Sequence, residues 1–163
     1  APVIAKVHGA AAGAGLSLML QADFVIAAEG TRFNLAYINL GTSCDVGASW
    51  ALPRLVGLRH ALEIALLGDT LTTTDALRLG LVNRVVPAEQ LDEATATVAH
   101  RLAHGPTLAY GAMKRLMRAS FDRDLDTQLI AETAAFAGCA ATQDMRAGIE
   151  AFFAKQPARF EGR

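Results

Sequence analysis

Apolar positions open the chain in a short run, Pro2–Val7, rich in β-branched side chains and short enough to be a buried strand. A small-residue stretch follows at Gly9–Gly15, and the spacing then turns helical from about Ala14 to Gln21. Phe24–Ala28 predicts a second buried strand and Arg32–Leu35 a third, short one. Strand, turn, helix, strand is the order of a layered α/β protein. Beyond Val46 the pattern is helical with little relief, over Gly47–Val56, Arg59–Leu67 and Thr73–Leu79. A short strand at Val82–Val86, closed by Pro87, ends the sheet. From Ala88 the apolar positions keep helical spacing, through Leu91, Ala94, Val98 and Leu102, then Leu108, Met113, Leu116 and Met117, then Leu125, Leu129, Ala134 and Phe136. Three or four helices are expected there. His104-Gly105-Pro106 separates two of them, because glycine suits the position after a helix and proline the start of the next. Asp122 or Asp124 can cap the one after. The pattern divides the chain into an α/β portion, residues 1–87, and a helical portion, residues 88–163, with no internal repeat or low-complexity tract.

Composition narrows the class. The 163 residues are 52% hydrophobic and 19% charged, which suits a packed body and excludes a disordered one. A formal net charge of −1 gives no electrostatic reason to expect nucleic acid or an anionic membrane as partner. Cys44 and Cys139 have neither zinc-site nor disulfide-framework spacing, so no metal is expected and a reducing cytoplasm fits best. Gln21, Asp23 and Glu29 interrupt the apolar runs short of the ~20 residues a membrane span needs, and no basic leader precedes them. A soluble protein is expected. The chain begins within an apolar, strand-like run, without methionine or polar lead-in, which suggests that an upstream segment was removed or is absent from the gene.

Candidate chemistry centres on two loops. In HGAAAGAGLSL, residues 8–18, every residue from Gly9 to Gly15 is small, as a backbone amide aimed at a ligand requires. The same feature serves close helix–strand packing equally well. In GTSCDVGASW, residues 41–50, Asp45 precedes a predicted helix, where it is either an N-cap or a general base. As a base it calls for burial in an apolar pocket, against the preference of a helix N-terminus for the ionised form. His8 is a proton carrier or a structural hydrogen-bond partner. His60, His100 and His104 look like surface positions. Cys44 has no histidine near it in sequence to activate it and reads as a space-filling thiol. Trp50, Phe33 and Phe136 read as core or as pocket lining.

These two loops, with ALLGDTLTTTDALRLGLVNRVVP at 65–87 and AFFAKQPARFEGR at 151–163, resemble the crotonase (enoyl-CoA hydratase/isomerase) superfamily. The resemblance covers essentially all 163 residues but only the later part of a typical member. It implies a crotonase-like (ClpP/crotonase) layered α/β core, truncated at its N-terminus and followed by a helical region that serves oligomerisation or as a lid. It further implies that the Ala14 amide, between Gly13 and Gly15, is one of two donors to a thioester oxygen. The other donor and the loop around the adenine of coenzyme A belong to the family's earlier part. Hydratases of the family carry two glutamates where this chain has Ser17 and Tyr37, and a hydroxyl with a pKa of about 10 or more is a poor base at neutral pH. Isomerase branches use an acid in the next loop, where Asp45 falls. Cys44 stands where proline is frequent. TSCDVGASW with LPRL is nearest to the 1,2-epoxyphenylacetyl-CoA isomerase-like branch.

The implied protein is an acyl-CoA isomerase that shifts a double bond through a thioester enolate. Ala14 and Asp45 are its catalytic groups, Ser17, Tyr37 and Trp50 face the acyl portion, and Lys155 and Phe160 face the nucleotide of coenzyme A. The last two read equally well as an ordinary solvated tail. Coenzyme A enters as part of the substrate, with no separate cofactor, and a homotrimer or hexamer is expected. The alternatives are a hydratase with relocated acid and base groups and an oligomerising fragment without activity.

Overall fold

The computed structural model describes residues 1–163, which fall into two compact units, Val3–Thr97 and Val98–Arg163 together with Ala1–Pro2. The first unit contains β1 (Ile4–Val7), β2 (Ala10–Ala12), α1 (Ala14–Met19), β3 (Phe24–Ala28), β4 (Arg32–Asn34), α2 (Ala48–Val56), α3 (Leu58–Leu67), α4 (Thr73–Arg78) and β5 (Arg84–Val86). Short 3-10 turns lie at Tyr37–Leu40 and Ala88–Gln90. The boundary between the units falls inside α5 (Leu91–Ala103).

Two parallel sheets organise the first unit, one of three strands in the order β1-β3-β5 and one of two, β2-β4. The central strand β3 is wholly apolar because both of its faces are covered, and its edges are paired, with Ile4 opposite Phe24 on one side and Ile26 opposite Arg84 on the other. In the smaller sheet Ala11 lies opposite Phe33, whose ring is completely buried. Phe33 also exchanges both backbone hydrogen bonds with Leu71, at 3.0 and 2.8 Å. Leu16, Met19 and Leu20 of the α1 region, Ala48, Ala51 and Leu52 of α2, Ala61 and Ile64 of α3, and Leu81 and Val82 complete one core around Phe33.

The small-residue stretch is more structured than its composition predicts. Ala10–Ala12 is a strand rather than part of a continuous turn, with Ala11 buried and its neighbours exposed. Gly9 at φ 68° and Gly13 at φ 51° form the corners at its two ends. Only glycine adopts such angles without steric cost, so the chain reverses into β2 and again into α1. Three alanines carry little strand propensity, and pairing with β4 is what makes them a strand. α4 starts on a reciprocal cap: Thr72 Oγ1 accepts the Asp75 amide at 3.2 Å, and the Asp75 carboxylate accepts the Thr72 amide at 3.1 Å.

The second unit is helical, with α6 (Thr107–Ala119), α7 (Leu125–Ala140) and α8 (Gln143–Ala154) following the end of α5. Asp124 caps α7 by accepting the Thr127 amide at 2.7 Å, which settles the choice between it and Asp122. Thr142 caps α8 through the Met145 amide at 3.1 Å. The tail does not fray. The buried Asp144 carboxylate accepts the Glu161 and Gly162 amides at 2.7 and 3.0 Å, and its own amide donates to the Arg163 carbonyl at 3.1 Å. No helix is long and apolar enough to cross a membrane.

Candidate active site

The site is built on the entry to α1. Gly13 donates its amide to the Asn34 carbonyl at 3.0 Å, which ties the corner to β4, and the Ser17 amide returns to the Gly13 carbonyl at 3.0 Å as the first bond of the helix. The amides of Ala14, Gly15 and Leu16 therefore have no acceptor within the helix. Ala14 and Gly15 are exposed, whereas Leu16 and Ser17 are fully buried. A Cβ built on Gly13 or Gly15 meets nothing within 4 Å, so the space in front of this corner is open. Asn34, unnoticed in the sequence, also donates its side-chain amide to the Gly68 carbonyl at 2.9 Å and to Thr70 Oγ1 at 3.0 Å. The signal available was a polar side chain between Phe33 and Leu35 in the predicted strand Arg32–Leu35.

Three residues singled out by the sequence converge. The Ser17 hydroxyl lies 3.1 Å from the Tyr37 hydroxyl and 3.3 Å from the Gly13 carbonyl oxygen. The Tyr37 hydroxyl donates in turn to the Asp45 carboxylate through a short hydrogen bond. Ser17 therefore faces the interior and supports the corner. Tyr37 enters this arrangement because Ala36, in the left-handed region at φ 60°, starts the 3-10 turn that carries it.

Asp45 does not cap a helix. α2 begins at Ala48 with Gly47 as its cap residue, and only the backbone carbonyl of Asp45 takes part, accepting the Ala48 amide at 3.1 Å. The apolar enclosure expected of a base is also missing, since Asp45 is exposed in this chain. Its orientation comes from Tyr37 and from the strained turn that follows. Val46 has φ 51°, an unusual angle for a β-branched residue, and Gly47 continues the turn at φ 75°. Gln21, just past α1, donates its side-chain amide to the carbonyls of Val46 and Gly47 at 3.5 and 3.4 Å. Sequence reasoning took Gln21 only as a polar interruption, and its tie to the Asp45 turn needed tertiary geometry to find.

The other candidates are placed as follows. Trp50 on α2 is 43% exposed, with the Arg54 guanidinium 4.2 Å from the ring centroid, so it forms an open surface rather than a closed pocket wall. Cys44 is half-buried against the core. His8 is exposed at the end of β1, as are His60, His100 and His104, the last two stacked with ring centroids 4.0 Å apart. Phe33 is core, but Phe136 is 68% exposed. In the second unit Lys155 ends α8 in the left-handed region at φ 52°, and Phe160 packs over Gly148 on the tail anchored by Asp144. Lys155 is exposed, and Phe160 is half-buried next to the anchored residues Glu161 and Gly162.

Chemically, the first unit offers free amides at a glycine corner, an accessible carboxylate, and two hydroxyls that join the carboxylate to the carbonyl of that corner. Comparison with known proteins gives the arrangement a setting. The enoyl-CoA hydratase/isomerase family model matches residues 1–163. The 1,2-epoxyphenylacetyl-CoA isomerase of Escherichia coli K12 is 38% identical over 162 residues, covering 99% of this chain and 62% of that protein. The 2,3-dehydroadipyl-CoA hydratase of the same organism is also 38% identical over 162 residues, covering 99% of this chain and 64% of its own length. A crystal structure of an enoyl-CoA hydratase/isomerase from Cupriavidus metallidurans CH34 superposes with a TM-score of 0.94 at 40% identity, over 99% of this chain and 61% of that one. The chain thus spans a little over three fifths of the relatives it matches.

Proposed function

From its membership of the enoyl-CoA hydratase/isomerase family, to which this chain belongs, we propose that it acts on an acyl-CoA thioester and shifts a double bond through an enolate. Asp45 removes a proton from carbon activated by the thioester, the electron pair moves into the carbonyl, and the Ala14 amide donates to the oxygen as negative charge develops. A donor of this kind is worth about 3–4 kcal/mol in the transition state. The protonated Asp45 then returns its proton at a different carbon, so no cofactor is consumed and coenzyme A is only the handle. The observation that carries this reading is the file Ser17–Tyr37–Asp45, which links one accessible carboxylate to the carbonyl of the glycine corner. Trp50 is assigned to the acyl portion, and Lys155 and Phe160 to the nucleotide end of coenzyme A.

A hydratase is the second reading, supported by the 2,3-dehydroadipyl-CoA hydratase among the relatives. The hydroxyls of Ser17 and Tyr37 favour the isomerase, because neither supplies a second carboxylate to activate water. The same reading takes the protein to be cytoplasmic and a homotrimer or hexamer. The exposed apolar side chains of its second unit support assembly.

The test is product mass after incubation with a 3-enoyl-CoA and with a 2-enoyl-CoA. An isomerase gives a chromatographically distinct product of unchanged mass, and a hydratase gives one heavier by a water. Asp45→Asn is expected to lower the rate by about 100-fold or more, as loss of a general base does. Turnover unchanged in Asp45→Asn contradicts the reading.

A further inference from the structure

The hydrogen bonds around Ser17 admit two proton arrangements, and the difference between them joins the two halves of the proposed site. Each hydroxyl has one hydrogen. With Asp45 ionised, Tyr37 gives its hydrogen to the carboxylate, and Ser17 gives its own to the Tyr37 oxygen 3.1 Å away. With Asp45 protonated, the carboxyl donates to Tyr37, Tyr37 rotates to donate to Ser17, and Ser17 rotates to donate to the Gly13 carbonyl at 3.3 Å. No proton leaves its own residue in this reversal, and both hydroxyls remain satisfied in either state.

The Gly13 carbonyl and the Ala14 amide belong to one peptide group. A hydrogen bond accepted by that carbonyl polarises the group and makes its N–H a better donor, as in any chain of hydrogen bonds. We infer that Ser17 and Tyr37 form a relay that reports the charge of Asp45 to the Ala14 amide, strengthening that donor once Asp45 has taken a proton. This rests on the roles proposed above for Asp45 and Ala14: the enolate exists only while Asp45 is protonated, so the amide is strongest when the oxygen it serves is most negative. Ser17 and Tyr37 are positioning residues in this scheme. The full burial of Ser17 makes the relay possible, because water would otherwise satisfy its hydroxyl in both states.

The test is made on the whole chain without ligand. The carbonyl ¹³C of Gly13 and the amide ¹⁵N of Ala14 are followed by NMR against pH, beside the side-chain carboxyl ¹³C of Asp45. The titratable neighbours along this turn are Tyr37, bonded to Asp45, and Cys44, adjacent to it. Gln21, the residue from the α1 side, is neutral. Both backbone signals are expected to move downfield as pH falls, with the midpoint of Asp45. In Tyr37→Phe the movement should vanish while Asp45 still titrates. Backbone signals that ignore Asp45 in the natural chain, or that move equally in Tyr37→Phe, overturn the relay. Should Tyr37→Phe lose a dispersed amide spectrum, Ser17→Ala removes the same link with little change of volume and carries the same expectation.

In turnover, Tyr37→Phe should lower kcat between about twofold and tenfold with KM unchanged, the size of a weakened rather than deleted donor. Co-titration in a chain whose turnover survives Asp45→Asn supports the relay and refutes the proposed reaction. Its absence in a chain silenced by Asp45→Asn refutes the relay alone.

Discussion

The two units solve the problem of apolar surface in opposite ways. In Val3–Thr97 the large side chains turn inward, with Leu16 and Phe33 at 0% exposure and Ile26 at 1%. In Val98–Arg163 Ala112 is the only buried hydrophobic residue, while Ile130, Phe136, Phe152 and Phe153 are 72, 68, 78 and 78% exposed. The helix α7 buries none of its residues. A helix this apolar and this uncovered has the composition of an interior element. The contrast teaches that helical spacing states which residues share a face, whereas only a partner surface states whether that face is filled. The first unit closes around its core, and the second leaves its large apolar side chains uncovered.

Core truncation should separate the units most sharply. Phe33→Ala is expected to cost about 3–5 kcal/mol in urea unfolding, since the ring is completely enclosed. Phe152→Ala should cost less than about 1 kcal/mol in the dissociated chain, and instead weaken self-association in sedimentation experiments. Equal losses in the two variants would erase the contrast. A second, smaller effect tests whether the open unit has an anchor of its own. Asp144→Ala leaves two amides of the tail without their acceptor and is expected to cost about 1–3 kcal/mol. Hydrogen exchange at Glu161 and Gly162 should accelerate while α1 and β3 keep their protection.

The smallest expected effect is on acid stability, and it should be shared by both units. The hydroxyl and amide of Thr72, reinforced by Arg78, hold the Asp75 carboxyl below its usual range. The Thr127 amide does the same for Asp124, and the bond and charge of Lys6 for Asp92. A carboxyl lowered in the folded state stabilises above its unfolded pKa, about 4, and the contribution is lost as pH falls through the lowered folded value. Asp92 and Asp124 are exposed and Asp75 is only half-buried, so the loss per site is small. Thermal unfolding should show a modest fall in Tm below about pH 4 that is reduced in Asp75→Asn and in Asp124→Asn. Loss confined to one of these variants would place acid sensitivity in one unit.

Much of the fold was legible because local signals agreed. Phe24–Ala28 is a strand with the expected bounds, and the expected helices from Gly47 to Leu79 lie within a residue of those found. The misses share a cause. Ala10–Ala12 is a strand only because β4 lies beside it, and no property of three alanines announces that. The helix expected at Gly47 starts at Ala48, because Val46 and Gly47 both occupy the left-handed region and turn the chain before it. At the site, the sequence named Ser17, Tyr37 and Asp45 but gave no reason to join them. Their contact depends on the left-handed Ala36 and on the 3-10 turn after it, features without periodicity. Trp50 and Phe136, read as core or as pocket lining, are not core, since apolar character alone does not state burial.

Deuterium exchange at the carbon next to the thioester tests the central claim most directly, because it requires both a base and a stabilised enolate but no complete reaction. The chain is incubated in D₂O with an enoyl-CoA carrying an acidic α-proton, and incorporation is followed by mass spectrometry beside Asp45→Asn. Steady incorporation by the natural chain, reduced about 100-fold or more in the variant, is the predicted result. Incorporation at the same rate in both would show that Asp45 is not the base and contradict the account.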